Sequence, residues 1–265
     1  MTDTCSFHAG STPLLISVPH DGRLLLKSVE RRMTAAGSDI PDTDWHVAKL
    51  YEFVRELDAS MLVADYSRYV VDLNRPPDDA ALYAGQISTG ICPNMSFAGE
   101  YLYEDMGVVA AEDIRERVDA YWLPYHSVIE SKLAALRDEY GYAILWDAHS
   151  IPSLVPRLFD GELPVLNIGT NNGDSCSANI AEQVFEIATA SDYSAVMNGR
   201  FKGGYITRHY GDPRNNVHAI QLEIAQRAYM DEASSEYDDV KADKLRDTLL
   251  SMLEGFLVAT KRQYE

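Results

Sequence analysis

The chain has 265 residues, and 23 Lys and Arg stand against 41 Asp and Glu, a formal charge of −18. That balance argues against a nucleic-acid backbone or an anionic membrane surface as the main partner, since either would be repelled. Cys5, Cys92 and Cys176 form no C-x-x-C pair, the N-terminus MTDTCSFHAG has neither a basic start nor an apolar stretch, and no apolar run is long enough to span a bilayer. The expectation is a globular, cytoplasmic protein without disulfides.

In chain order, Leu14–Val18 is a short apolar run closed by Pro19 and predicts a buried strand. Asp42, Thr43 and Asp44 open a predicted helix continued by Val47, Leu50, Tyr51, Val54 and Leu57. Ser60–Ala64 and residues 69–73 read as two more strands. Residues 76–110 hold Pro76, Pro77, Gly85, Gly90, Pro93, Gly99 and Gly107 and predict a long irregular segment, the kind that serves as a lid over a site. A helical pattern over 111–140 is interrupted by Pro124. Strands follow at 142–147 and 164–168, then a helix at 177–190. Residues 198–216 form a second Gly-rich loop, 219–225 a last strand and 239–260 a closing helix. The alternation predicts an α/β fold, one three-layer domain over 1–265 with helices on both faces of a sheet.

Ligands of open α/β sheets bind beyond the carboxyl ends of strands, so the residues following each strand carry the functional reading. His20 follows the first strand and His149 follows the strand at 142–147. Two histidines on separate strand ends could converge and suit a metal, because imidazole is a favoured zinc ligand and a catalytic zinc takes three protein ligands. Asp147 could orient a metal-bound histidine. Asp44 is the preferred third ligand and Asp42 the alternative, although an acid in a helix's first turn also stabilises it by about 0.3–1 kcal/mol with no metal at all. Asn74 and Arg75 end the predicted strand at 69–73, and a guanidinium fork grips carboxylates, with Arg68 a second cation for the same pocket. In the strand at 219–225, Ile220, Leu222 and Ile224 take one face and Gln221 and Glu223 the other. A carboxylate in a central strand is paired or functional, and Glu223 is the candidate general base. Lys202, Arg208 and His209 make the second Gly-rich loop a candidate clamp for an acidic substrate. No phosphate-binding glycine motif is present.

The segments SVPHDG (17–22), DTDWH (42–46), YSRYVVDLNRP (66–76), LWDAHSIPS (145–153), LNIGTNNG (166–173), GRFKGGYITRHYG (199–211) and HAIQLEIAQRAYMDE (218–232) resemble the N-formylglutamate amidohydrolase (deformylase) family of histidine catabolism. The resemblance runs through nearly the whole chain in order. It implies the zinc-carboxypeptidase-like (phosphorylase/hydrolase-like) fold with a central mixed, mostly parallel sheet, shared with aspartoacylase, and hydrolysis of N-formyl-L-glutamate to glutamate and formate. It also implies Zn2+, or another divalent ion such as Co2+ or Fe2+, on His20 and His149, with Glu223 as base and Asn74 and Arg75 on a substrate carboxylate; for the oxyanion, a nearby cation is expected beside the metal, Arg68 being one candidate. One position departs from the pattern: where zinc carboxypeptidases place Glu three residues after the first histidine, this chain has Arg23. The partner expected is a small acidic N-acyl amino acid. The rival expectations are a related enzyme for another N-acyl amino acid and a non-catalytic binding module on the same fold.

Overall fold

Short runs of β-branched and leucine residues, separated by turn residues, meet in one sheet. The computed structural model describes residues 4–80, 89–105 and 109–265. The strands are β1 (Cys5–His8), β2 (Leu14–Val18), β3 (Ser60–Ala64), β4 (Ala143–Ile151), β5 (Leu166–Gly169), β6 (Ala195–Met197) and β7 (Val217–Ala225). Their spatial order is β1-β3-β2-β4-β7-β5-β6. β3, β2, β4 and β7 run parallel. β1 is antiparallel to β3, and β5 is antiparallel to β7 with β6 parallel to β5. The sheet is thus mixed and mostly parallel.

Three single-turn helices, α1 (Lys27–Glu30), α2 (Ala35–Ser38) and α3 (Val47–Leu50), precede the larger ones: α4 (Ala111–Arg117), α5 (Leu123–Tyr140), α6 (Ala178–Ala190), α7 (Tyr205–Tyr210) and α8 (Asp239–Tyr264). Strand alternation decides which helix covers which face. Leu14, Ile16, Ile144, Trp146, Ile220 and Leu222 pack on α6 and α8 through Ile180, Val184, Leu249 and Phe256. Leu15, Leu145 and Ala219 point the other way, onto Tyr125, Ile129 and Leu133 of α5. Each such side chain stabilises the fold by about 1.5–3 kcal/mol when fully buried. The three-layer α/β architecture is the expected one. No helix of the described residues is long and apolar enough to cross a membrane.

Several elements differ from expectation, each for a local reason. Residues 69–73 form turns and no strand: Val70 and Val71 are buried, but Val70 N–H donates to Ser67 O, Arg75 N–H to Asp72 O, and Asn74 N–H to the Asp72 carboxylate at 2.9 Å. An Asp that captures nearby amides favours a turn over a ladder. The helix expected from Asp42 shortens to α3 and a 3-10 turn, Glu52–Arg55, and Asp44 does not cap it. Asp21 does so instead, accepting from His46 N–H at 3.1 Å and Ala48 N–H at 2.9 Å. Residues 111–140 stay helical through Pro124 because a π-helical turn, Val118–Trp122, precedes it. The loop at 198–216 contains α7, and β1 and β6 are short edge strands with no alternating pattern to read. The described part of 76–110 pairs only through single bridges, Met33–Tyr103 and Met95–Tyr101. Gly85 and Gly107 of the expected lid lie outside the described residues.

Candidate metal centre and active-site cleft

The site exists because two strands overrun their neighbour. β2 and β4 stay in register to Ser17–Asp147, and β4 continues to Ile151. β7 accompanies it, with Asp147 opposite Gln221 and His149 opposite Glu223. The face that packs Leu145 and Ala219 on α5 therefore carries Asp147, His149, Gln221 and Glu223 further along, all buried. His20 sits in the bend after β2, where Pro19 ends the strand, and Asp44 N–H donates to the His20 carbonyl at 3.0 Å.

His20, Asp44 and His149 converge. Nδ1 of His20 lies 3.2 Å from Nδ1 of His149, Asp44 Oδ2 lies 3.1 Å from His149 Nδ1, and the third edge, His20 Nδ1 to Asp44 Oδ2, is 3.8 Å. A tetrahedral ion with bonds of about 2.0–2.1 Å needs ligand–ligand edges of about 3.3 Å, so the spacing fits a zinc-type ion. The far sides of both rings agree. His20 Nε2 is 2.7 Å from Asp72 Oδ1, and His149 Nε2 is 3.1 Å from Asp147 Oδ1. A carboxylate lies behind each ring, and Asp72 holds the His20 proton on Nε2 and turns its Nδ1 lone pair inward. These three residues are the group able to hold a metal ion among the described residues. Asp42 stands outside it: both its oxygens accept the Phe97 N–H, at 3.0 and 2.9 Å, and tie residue 97 to the site.

Arg68 crosses behind this cluster. Its guanidinium donates to Asp44 Oδ1 at 2.7 Å and lies 3.9 Å from Asp72, while its Nε is buried with no hydrogen bond among the described residues. Burial alone would raise the Asp44 carboxyl, but Arg68, joined by His149 and His20, holds it well below the usual carboxylate range. Asp72 is lowered in the same way, against its burial, by His20 and Arg68. Glu223 behaves oppositely: burial, with the charges of Asp44 and Asp147, pushes its carboxyl up to about 8 despite His149 and Arg68.

A cleft of about 90 Å³ opens on these groups, lined among others by Arg75, Thr89, Phe97, Arg200, Gly204 and Glu223. Arg75 donates to the Thr89 carbonyl at 3.0 Å and to its hydroxyl at 3.2 Å. Asn74 lines the cleft but spends its amide on the protein: Oδ1 accepts from Ile206 N–H at 2.8 Å, and Nδ2 lies 2.9 Å from His149 Nε2 and 3.3 Å from Asp147 Oδ2. Lys202 and Arg208, expected from the sequence as a clamp, do not line the cleft. Arg208 Nε donates to the Gly203 carbonyl, and the loop places Arg200 and Phe201 at the cleft instead. The sequence reading also passed over Asp72 and Arg200. Asp72 had a signal, an acid two residues before Asn74 in a turn-forming D-x-N. Arg200 had none, since nothing local separates it from Lys202.

The sequence profile of a family described as N-formylglutamate amidohydrolase matches residues 12–230. An N-formylglutamate deformylase of Pseudomonas putida is 46% identical and one of Pseudomonas aeruginosa 47%, each aligned over 100% of both chains. Among solved structures, an N-formylglutamate amidohydrolase from Ralstonia eutropha superposes with a TM-score of 0.81 at 20% identity, covering 97% of each chain. A gene product of Agrobacterium tumefaciens superposes with a TM-score of 0.72 at 17% identity, covering 95% of each. The profile covers most of the chain and the relatives match it end to end, and the chain belongs to the N-formylglutamate amidohydrolase family.

Proposed function

We propose that this chain is a metal-dependent amidohydrolase that cleaves N-formyl-L-glutamate to L-glutamate and formate, a step of histidine breakdown. The observation that carries the reading is the convergence of three lone-pair atoms, 3.1–3.8 Å apart, beside a buried carboxyl and under a cleft lined by arginines. His20, His149 and Asp44 are the proposed ligands of a divalent ion, and two imidazoles with one carboxylate favour zinc. Bound there, such an ion supplies Lewis acidity and lowers the pKa of water towards about 7.

The chain's own residues do the rest. Glu223 lines the cleft beside the proposed ligands and, as the carboxylate that a neighbouring divalent ion would favour, takes a proton from the water that attacks the formyl carbon. It returns that proton to the amine nitrogen as the C–N bond breaks, so one water is consumed and formate leaves. Arg68 presents its unused Nε–H to the oxygen that gains charge. Arg75 and Arg200 set the positive potential that a substrate with two carboxylates requires, and the concave wall concentrates that field within a strongly acidic protein. Asn74 is held by Ile206 N–H and Asp147 beside His149, contacts that favour a structural role over direct substrate contact.

Formate release tests the reading. Added N-formyl-L-glutamate should yield equimolar formate and glutamate, a chelator should abolish the yield, and zinc should restore it. N-formyl-L-aspartate and N-acetyl-L-glutamate should be poorer substrates. Full turnover after exhaustive metal removal would refute the metal dependence, and preference for N-acetyl-L-glutamate would reassign the substrate.

A further inference from the structure

Asn74 and Arg75 lie in an irregular turn, yet the carbonyls of residues 73–75 are each held from outside it. The Leu73 carbonyl lies 2.9 Å from His126 Nε2, the Asn74 carbonyl accepts from Tyr205 N–H at 3.3 Å, and the Arg75 carbonyl accepts from the indole Nε1–H of Trp122 at 2.9 Å. Two of the three donors come from one place, the junction between the π-helical turn Val118–Trp122 and α5. Pro124 lacks the N–H that an α-helix would bond to residue 120, and Leu123 N–H reaches back five residues to Val118 O. Such bulges recur at functional sites because they re-aim side chains. Here Trp122 and His126 are four residues apart and stack at 3.6 Å, so both face the same turn.

The donors themselves are held in place. His126 Nδ1 lies 2.9 Å from the Tyr210 hydroxyl, and Tyr205 and Tyr210 of α7 pack against the His126 ring at 5.5 and 5.8 Å. Burial, and to a lesser degree the charge of His209, lower the His126 imidazole to about 3, so at neutral pH it is uncharged with its proton on Nε2, facing Leu73. Among the described residues, no hydrogen bond or ring contact links this aromatic cage to His20, Asp44 or His149. Trp122 and His126 reach the cleft through the carbonyls of the 73–75 backbone.

Building on the deformylase reading, we propose that Trp122 and His126 are positioning residues: by fixing the Arg75 and Leu73 carbonyls they set the Arg75 guanidinium at the cleft and the Asn74 amide against His149. The lever is short. Arg75 lines the cleft on the residue whose carbonyl Trp122 holds, and Asn74 sits between the two clamped carbonyls. Displacements of about 1 Å in positioning groups can lower turnover by about a hundredfold.

The test uses the zinc-reconstituted full chain. Trp122→Phe keeps the ring on His126 and removes only the indole donor. It should raise KM for N-formyl-L-glutamate and weaken L-glutamate binding, measured by calorimetry, by about ten- to hundredfold, with zinc content unchanged. In an Arg75→Ala background the same substitution should do nothing further, because the group it positions is gone. His126→Leu should lower kcat/KM by about tenfold or more, while His126→Gln, whose amide can donate to the Leu73 carbonyl, should recover most of it. The proposal is overturned if Trp122→Phe and His126→Leu both leave KM, kcat and the glutamate affinity at wild-type values. It is equally overturned if Trp122→Phe acts by the same factor with Arg75 absent, since that would be general loosening. The two readings separate cleanly. Wild-type formate release with an inert Trp122→Phe removes the brace and leaves the deformylase. No wild-type release, with glutamate binding still weakened by Trp122→Phe, removes the deformylase and leaves the brace.

Discussion

Gly204→Ala is the most demanding single change for the proposed site. Gly204 immediately precedes α7 and has φ −84° and ψ −162°, ordinary extended backbone, so alanine carries no conformational penalty there. A Cβ would meet Asn74, however, at 2.3 Å from Nδ2 and 2.6 Å from both Cγ and Oδ1. Relief requires a shift of about 1 Å, and Asn74 is tied by Ile206 N–H, His149 and Asp147 as well as by its clamped backbone. Overpacking of a well-filled site costs about 1–3 kcal/mol. Loss of glycine's freedom in the unfolded chain offsets about 0.4–1 kcal/mol of that. The net cost is up to about 2.6 kcal/mol, a drop in Tm of up to about 10 °C for a chain of this size. Activity should fall further, by about a hundredfold in kcat/KM, because the displaced amide packs against His149 and donates to Asp147. Differential scanning fluorimetry and a coupled formate assay read both quantities. The decisive control is the Asn74→Ala background, where the clashing atoms are absent and Gly204→Ala should lose most of its effect. An unchanged Tm and unchanged kcat/KM in the single variant, or an undiminished effect in the double variant, would refute the reasoning.

Other consequences are as direct. Glu223→Gln should bind zinc normally and lose about 10²–10⁴ in kcat, the usual worth of a general base, and turnover near wild type would remove that role. His149→Ala should lower the zinc content found by elemental analysis and lower Tm in zinc-containing buffer, since a ligand bound only by the folded state stabilises it. Acid should destabilise the protein through His218. Burial lowers its imidazole from 6.5 to about 4, so below pH 6.5 the unfolded chain takes up a proton that the folded chain refuses. The stability it contributes is present above pH 6.5 and is lost as pH falls towards about 4. Between pH 6.5 and about 5 the loss is about 2 kcal/mol, at about 1.4 kcal/mol per pH unit. His218→Gln should flatten the urea-derived stability profile in that window, and an unaltered slope would contradict the assignment.

Much of the framework can be read from local pattern. The apolar runs of β2, β3, β4, β5 and β7, the alternation of Ile220, Leu222 and Ile224 against Gln221 and Glu223, and the periodic faces of α5, α6 and α8 all signal burial through side chains next to them in sequence. His20 and His149 are conspicuous for the same reason, each just past an apolar run. Other features answer to distant partners. Residues 69–73 look like a strand by composition, yet the Asp72 carboxylate gathers its own backbone amides and turns the chain. Asp42 and Asp44 are equivalent acids two residues apart. The fold sends one to the amide of Phe97 and the other to Arg68 and the histidines.

The loop cations show the limit most plainly. Lys202, Arg208 and Arg200 share one Gly-rich stretch, and their composition cannot rank them, but the chain path presents only Arg200 to the cleft. Hydrophobic periodicity is a short-range property and survives in the linear chain, so it announces strands, helices and their buried faces. Where a charged side chain ends up depends on contacts between segments far apart in the chain, such as His20 with His149, 129 residues on, and Trp122 with the turn at 73–75, 47 residues before it. Only the packed layers bring those segments together.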